Sequence, residues 1–181
     1  MSILKVCHLG HPVLRMQAER LTTEALAIPS IQTLIDDMME TMVEYNGVGV
    51  AAPQVHESLA IAVIESHGPR GAIPMTVLVN PDVTILDESL FEDWEGCLSI
   101  PDLRGRVPRC RKLRVDALDR HGNKIQMTAE GFFARVIQHE LDHLNGKVYL
   151  DRMRDMRTLT HLPELQRYWL SQEESKDGSS S

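Results

Sequence analysis

The stretch from Glu130 to Asn145, EGFFARVIQHELDHLN, constrains this chain more than any other. At 3.6 residues per turn, Phe133, Ile137, Leu141 and Leu144 fall on one apolar stripe, with Phe132 and Val136 opening a second beside it. That second stripe runs into His139 and His143, an i, i+4 pair whose imidazoles project from one face about one turn apart. A helix apolar around so much of its circumference is buried, and Gly146 marks its stop. An unpartnered imidazole in a core is costly, so the rest of the chain has to bring partners to this helix.

Two sets of partners are possible. A shared metal ion would satisfy both rings and leave Glu140, next to the first, placed to take a proton from water. Backbone carbonyls or solvent would satisfy them with no cation at all, and the spacing does not separate the two readings. A catalytic metal needs three protein ligands and an open position. Downstream, HELDHLNGKVY follows the pattern H-E-x-x-H-x-x-G-x-x-H until position 149, where Tyr149 stands instead of histidine. Glu164 or His161 could substitute on that side, in a polar C-terminal segment with nothing else marking them. Upstream, EDWEGCLSIP offers Cys97, set between Gly96 and Pro101 where the backbone is irregular. A thiolate is a strong ligand for borderline or soft cations. A free cysteine is also a small buried hydrophobe, the reading that suits Cys7 and Cys110.

A third stretch is GVGVAAPQ, Gly47 to Gln54. Its glycine spacing suggests a dinucleotide fingerprint, but that motif follows a strand and opens a helix. Here it follows a helix, and Pro53 intervenes, so the reading fails. Small residues permit close backbone approach to a ligand and leave Gln54 as the one side chain with directed hydrogen bonding. A tight turn packed on the preceding helix fits equally well.

The remaining periodicity gives the fold class. Ile31, Leu34, Ile35, Met38, Met39, Met42 and Val43 form a helical stripe, with Ser30 as N-cap and Asn46-Gly47 as its end. The period then shortens: Leu59–Glu65, Thr76–Asn80 and Val83–Asp87 read as strands. Leu113 to Thr128 reads as a hairpin turning at Gly122-Asn123. Helix, strands and helix without βαβ alternation predict an α+β domain, with short antiparallel sheets around a central helix carrying H-E-x-x-H. Residues 1–170 form one catalytic domain in this reading, and residues 171–181, ending KDGSSS, form a disordered tail.

Composition excludes several classes of function. A net charge of −7 argues against a broad nucleic-acid face. Three widely spaced cysteines make no disulfide framework and suit a reducing compartment. No apolar run approaches the ~20 residues that span a bilayer, and no secretory or transit signal opens the chain. The expected location is the cytoplasm. His8, His11, His56, His67, His121 and His161 read as loop or surface residues with no assigned role.

In this order, GVGVAAPQ, EGCLS and QHELDH resemble the three signature motifs of the peptide deformylases, and the resemblance extends from about His8 to Met153. Three ordered motifs are far more specific than one H-E-x-x-H. The resemblance implies one divalent ion held by Cys97, His139 and His143, ferrous iron in the cell, with nickel, cobalt or zinc accepted. The implied substrate is the N-formyl group on the initiator methionine of a new polypeptide. Glu140 would take the proton of the attacking water and return it to the leaving amine, releasing formate. The Leu98 backbone N–H and the Gln54 side-chain amide would hold the oxyanion, each such donor being worth about 3–4 kcal/mol.

Substrate contacts carried by the resemblance are Val48 and Gly49, pairing with the peptide as an added strand, and Arg104. A methionine pocket would lie near Phe132, Val136 and His139. Glu95 would pair with Arg109 and brace the cysteine loop. Arg135 stands where many bacterial members carry an apolar residue; facing the pocket, it would alter selectivity for the first side chain. The C-terminal THLPELQRYWLSQEES predicts a short helix from Pro163. It carries no excess of base over acid, so ribosome docking is not carried over to it.

Overall fold

The run LAIAVIE has no polar residue before Glu65, and the fold uses both of its faces. In the computed structural model, which describes residues 2–170, the main elements begin with α1 (Thr23–Leu26), α2 (Pro29–Glu44), β1 (Gly49–Ala51) and β2 (Ile61–Ser66). They continue with β3 (Ile73–Cys97), β4 (Ile100–Leu118), β5 (Lys124–Glu130), α3 (Gly131–Leu144), β6 (Thr160–His161) and α4 (Leu162–Glu164). The sheet runs β1-β2-β3-β4-β5, every neighbouring pair antiparallel, with β6 added to β4.

Alternate residues of β2 serve two cores. Ile61 and Val63 pack with Val79 under Ile35, Met38 and Met42 of α2. Ile64 packs with Leu78, Leu113 and Val115 under Ala134, Ile137 and Leu141 of α3. The period-2 alternation of a strand thus sends α2 to one face and α3 to the other. Each fully buried aliphatic side chain contributes about 1.5–3 kcal/mol of hydrophobic stabilisation, so the helix bearing the two histidines is firmly seated. Gly146 ends it at φ +67, and a Cβ there would lie 2.7 Å from the Arg15 carbonyl oxygen. Only glycine meets both demands.

Several local expectations are corrected. The α2 N-cap is Ile28 with Pro29 in the first turn, not Ser30; proline needs no N–H partner there and its φ already suits a helix. The strands expected at Thr76–Asn80 and Val83–Asp87 are parts of the single strand β3. Its register slips between Val79 and Asp82, where Asn80 adopts φ +51 and Pro81 has no N–H to donate. The hairpin is as expected, pairing Leu113 with Ala129, Val115 with Met127 and Ala117 with Ile125. Helix α4 does begin beside Pro163, and the chain then continues as a π-helical turn, Leu165–Leu170. Cys110 is half-buried rather than a core residue. The expected tail, residues 171–181, lies outside the described residues.

Candidate metal centre and cleft

Strands β3 and β4 are joined by the two-residue turn Leu98–Ser99, which sets Cys97 opposite Ile100. The register shifts between Glu95 and Cys97, and Gly96 at that shift has no room for a side chain: a Cβ would overlap the Arg104 guanidinium. Across from this turn, α3 presents His139 and His143. The Cys97 sulfur and one nitrogen of each ring lie within 4.8 Å of one another. Cys97 Sγ is 3.2 Å from His143 Nε2. His139 Nδ1 donates to Glu95 Oε2 at 2.9 Å, which leaves its Nε2 lone pair for the cluster. The downstream alternatives do not join them: His161 is on β6, paired with Leu103, and neither it nor Glu164 belongs to a metal-competent group among the described residues.

The donor set fits a divalent transition metal. One sulfur and two imidazoles converge with the three-ligand count of a catalytic site. Burial opposes ionisation of the Cys97 thiol, but the adjoining imidazoles hold it well below its ordinary range. Burial likewise opposes charge on His139, and the Cys97 sulfur and Glu95 hold it well above the usual value. With the sulfur ionised and the proton held on the ring, binding a cation here releases the imidazole proton.

Under these three side chains lies a charged layer. Arg109 grips Glu95 with two bonds of 2.9 Å and reaches Asp142 Oδ2 at 2.6 Å. Arg135 donates to Glu95 Oε1 at 2.7 Å, to the Val107 carbonyl at 2.8 Å and to the Phe91 carbonyl at 2.8 Å. Its guanidinium also stacks 4.4 Å from the Phe91 ring. Burial would raise the Glu95 carboxyl, but Arg109 and His139 hold it far below the carboxylate range. Both Glu95 oxygens and most of the Arg135 donors are therefore engaged within the protein. Although both residues border the cleft, their charges serve the ring of His139 and the cysteine strand.

Above the cluster opens a cleft of about 470 Å³. The site residues expected from the sequence border it (Val48, Gly49, Gln54, Glu95, Cys97, Leu98, Arg104, Phe132, Arg135, Val136, His139 and Glu140) except His143 and Arg109, which are buried beneath. Burial raises the Glu140 carboxyl to about 6, against the pull of the two imidazoles. Its Oε2 has no hydrogen-bond partner among the described residues. Gln54 receives the Ala51 N–H on Oε1 at 2.9 Å. Its Nε2 therefore points at Cys97 Sγ, 3.4 Å away, and Ser99 Oγ, 3.2 Å away. Along one wall, β1 ends the sheet order. The Glu65 N–H bonds the Val48 carbonyl at 3.0 Å, so Val48 faces β2 and the Gly49 N–H and C=O face the open edge.

Sequence reading missed three contributors. Asp142 lies between the two ring-bearing positions and anchors Arg109 and Arg152; an acid on so apolar a helix was the available signal. Ser99 shares the Gln54 amide, and Arg70 covers Phe132 at 4.1 Å, both through long-range contacts that no local pattern announces.

A cluster of Cys97, His139 and His143 that could hold a metal ion, with an adjoining glutamate at the base of a cleft beside an open strand edge, is an arrangement suited to a metal-dependent hydrolase. The family model for polypeptide deformylase matches residues 3–158. The chain is 45% identical over 160 residues to peptide deformylase 1 of Nitrosomonas europaea, covering 86% of this chain and 90% of that protein. It resembles the Met-Ala-Ser-bound crystal structure of a class I type b peptide deformylase from Acinetobacter baumannii, with a TM-score of 0.81 and 36% identity, covering 84% of this chain and 100% of that one. The Thermotoga maritima peptide deformylase gives a TM-score of 0.78 at 33% identity, over 86% of this chain and 100% of that one. The chain belongs to the polypeptide deformylase family, metal-dependent hydrolases that take the N-formyl group from newly made polypeptides and use a single metal ion.

Proposed function

We propose that this chain removes the N-formyl group from formyl-methionyl peptides with Cys97, His139 and His143 holding one ferrous ion, and that it does so in the cytoplasm on nascent chains. The reading is carried by the convergence of one buried sulfur and two imidazole nitrogens within 4.8 Å, beside a carboxylate with an unpartnered oxygen. When bound, the cation supplies Lewis acidity, polarising the formyl carbonyl and making water acidic enough to ionise near neutrality. Nickel, cobalt and zinc suit the same donors.

The protein's own groups carry the remaining steps. Glu140 accepts a proton from the attacking water, whose oxygen forms the new bond to the formyl carbon. A carboxyl raised to about 6 is well matched to taking that proton near neutrality and giving it up again. The Gln54 amide and the Leu98 N–H donate to the oxygen that gains charge. Glu140 then passes its proton to the amine nitrogen as the C–N bond breaks, and formate leaves.

The substrate backbone extends along the open edge of β1, its polar groups meeting those of Gly49. Phe132 and Val136 accept the methionine side chain, and Arg104 lies along the peptide beyond it. The Acinetobacter baumannii relative was crystallised with Met-Ala-Ser, the peptide left when formyl-Met-Ala-Ser is deformylated.

The test is formate release from formyl-Met-Ala-Ser under anaerobic conditions, with iron or nickel supplied. Turnover that vanishes in Glu140→Gln while metal content holds at one per chain is the expected result. No formate with any metal would overturn the reading, and near-normal metal content in Cys97→Ser would remove the sulfur from the ligand set.

A further inference from the structure

Outside the cleft, a second cluster repeats the donor set of the first. Cys7, His11 and His56 also bring one sulfur and two imidazole nitrogens within 4.8 Å of one another. They come from two segments, the N-terminal stretch and the end of the 3-10 turn Ala52–Val55. Cys7 is buried, its thiol donating to the Pro53 carbonyl at 3.3 Å and its N–H to the Gln54 carbonyl at 2.8 Å. Both imidazoles are exposed and meet edge to face with centroids 4.7 Å apart. The Val13 N–H donates to His11 Nδ1 at 3.3 Å, so the neutral ring carries its lone pair on Nδ1 and its proton on Nε2, and taking a cation at either nitrogen gives up this bond. His56 is held at φ +72, a conformation uncommon for a residue with a side chain, by an N–H bond to the Pro53 carbonyl.

We propose that Cys7, His11 and His56 form a second transition-metal site, suited to zinc and cations of similar softness, with solvent completing the coordination. Zinc holds sulfur at about 2.3 Å and imidazole nitrogen at about 2.0–2.1 Å, which puts tetrahedral donors roughly 3.3–3.7 Å apart. The cluster needs to close by about 1 Å, and exposed imidazoles supply that by small side-chain rotations around an anchored sulfur. Thiolate with imidazole selects against magnesium and calcium, which require oxygen donors. Binding exchanges the thiol proton for the metal, one proton released per cation bound.

The location gives the site a consequence. The Cys7 N–H bonds the Gln54 carbonyl and the Leu9 N–H bonds the Ser99 carbonyl, each at 2.8 Å, so one strap of chain joins the two loops whose side chains meet beside Cys97. A cation joining His11 to His56 ties that strap to the turn carrying Gln54. It therefore stabilises the folded protein without touching the cleft ligands.

The test uses the whole enzyme with nickel already at the first site, dialysed against rising free zinc, with both metals counted per chain by mass spectrometry. The expected total for wild type is two cations, nickel retained, with a higher thermal midpoint in zinc. The double variant His11→Asn/His56→Asn is chosen for the fold: asparagine still accepts the Val13 N–H and tolerates positive φ. It is expected to keep one nickel, lose the zinc equivalent and lose the zinc-dependent rise in midpoint. Cys7→Ser carries the same expectation independently. A wild-type total that stays at one under excess zinc overturns the site, as does a double variant that takes up zinc as wild type does. Neither outcome bears on the deformylase reading, which formate release tests separately.

Discussion

Glu140 fills the space beside Gly49: a Cβ built at residue 49 would overlap the carboxylate oxygen Oε1 of Glu140. The glycine in GVGVAAPQ is thus a requirement of the glutamate on a helix more than 80 residues away in the chain. In Gly49→Ala the flexible carboxylate yields before the backbone does, so the fold survives and the base is displaced. The expected loss in kcat/KM is about 10²-fold, at the lower end of what a positioned general base contributes. Metal content should stay at one per chain; wild-type activity in this variant would separate Glu140 from the proton transfer.

Arg135 makes a different prediction from the one its sequence position suggests. Its guanidinium is bound to Glu95 and to two carbonyls, so it neither lines a methionine pocket with charge nor reaches solvent. Arg135→Leu should destabilise the protein by about 3–5 kcal/mol, the cost of breaking a buried charged contact by removing one partner. The relative kcat/KM for formyl-methionyl and formyl-norleucyl peptides should stay within twofold on the scale that a single apolar contact sets, about 10-fold or more. Denaturant midpoints and the two rate constants check this, and a selectivity change without destabilisation would contradict it.

What could be read from the sequence was whatever repeats locally. The stripe of α3, its stop at Gly146 and the hairpin pairing of Leu113 with Ala129 follow from periodicity and turn chemistry. The histidine spacing is equally local. From spacing alone Cys97 was legible only as one of several candidate third donors, because the contact that brings it to His143 spans 46 residues. The charged layer was the least legible. Arg109, Arg135, Glu95 and Asp142 are buried in a network, whereas charges in a sequence read as surface by default. The fusion of two expected strands into β3 was hidden by Asn80 and Pro81, which mark a break in register rather than in the strand.

Asp142 gives a pH dependence with a definite sign. Burial opposes its ionisation, yet Arg152 and Arg109 hold its carboxyl below the ordinary 3.8. The unfolded chain therefore takes up this proton first as pH falls. The stabilisation from Asp142 is complete above its ordinary value and is lost as pH drops through the lower folded value. In Asp142→Asn the contribution is absent at every pH. The gap between wild type and variant in urea midpoint should be constant above about pH 5 and shrink below pH 4. A gap that widens with acid would reverse the assigned sign.

Gln54 separates the two ends of one amide. Its Oε1 accepts the Ala51 N–H and orders the turn, while its Nε2 points over Cys97 Sγ and Ser99 Oγ. Gln54→Glu keeps the acceptor and so keeps the turn, but it replaces the Nε2 donor with a second oxygen facing the thiolate. Loss of one oxyanion donor costs about 10²–10³ in kcat, and the donor acts on charge that develops only in the transition state, so KM should change little. Gln54→Ala should lose the same catalytic factor and some stability as well, because the buried Ala51 N–H is left without its acceptor, at a cost of about 1–3 kcal/mol. The measurement is steady-state kinetics with formyl-Met-Ala-Ser beside thermal melts of both variants. If the glutamate variant raised KM and left kcat intact, Gln54 would be binding the ground-state peptide instead of stabilising the oxyanion.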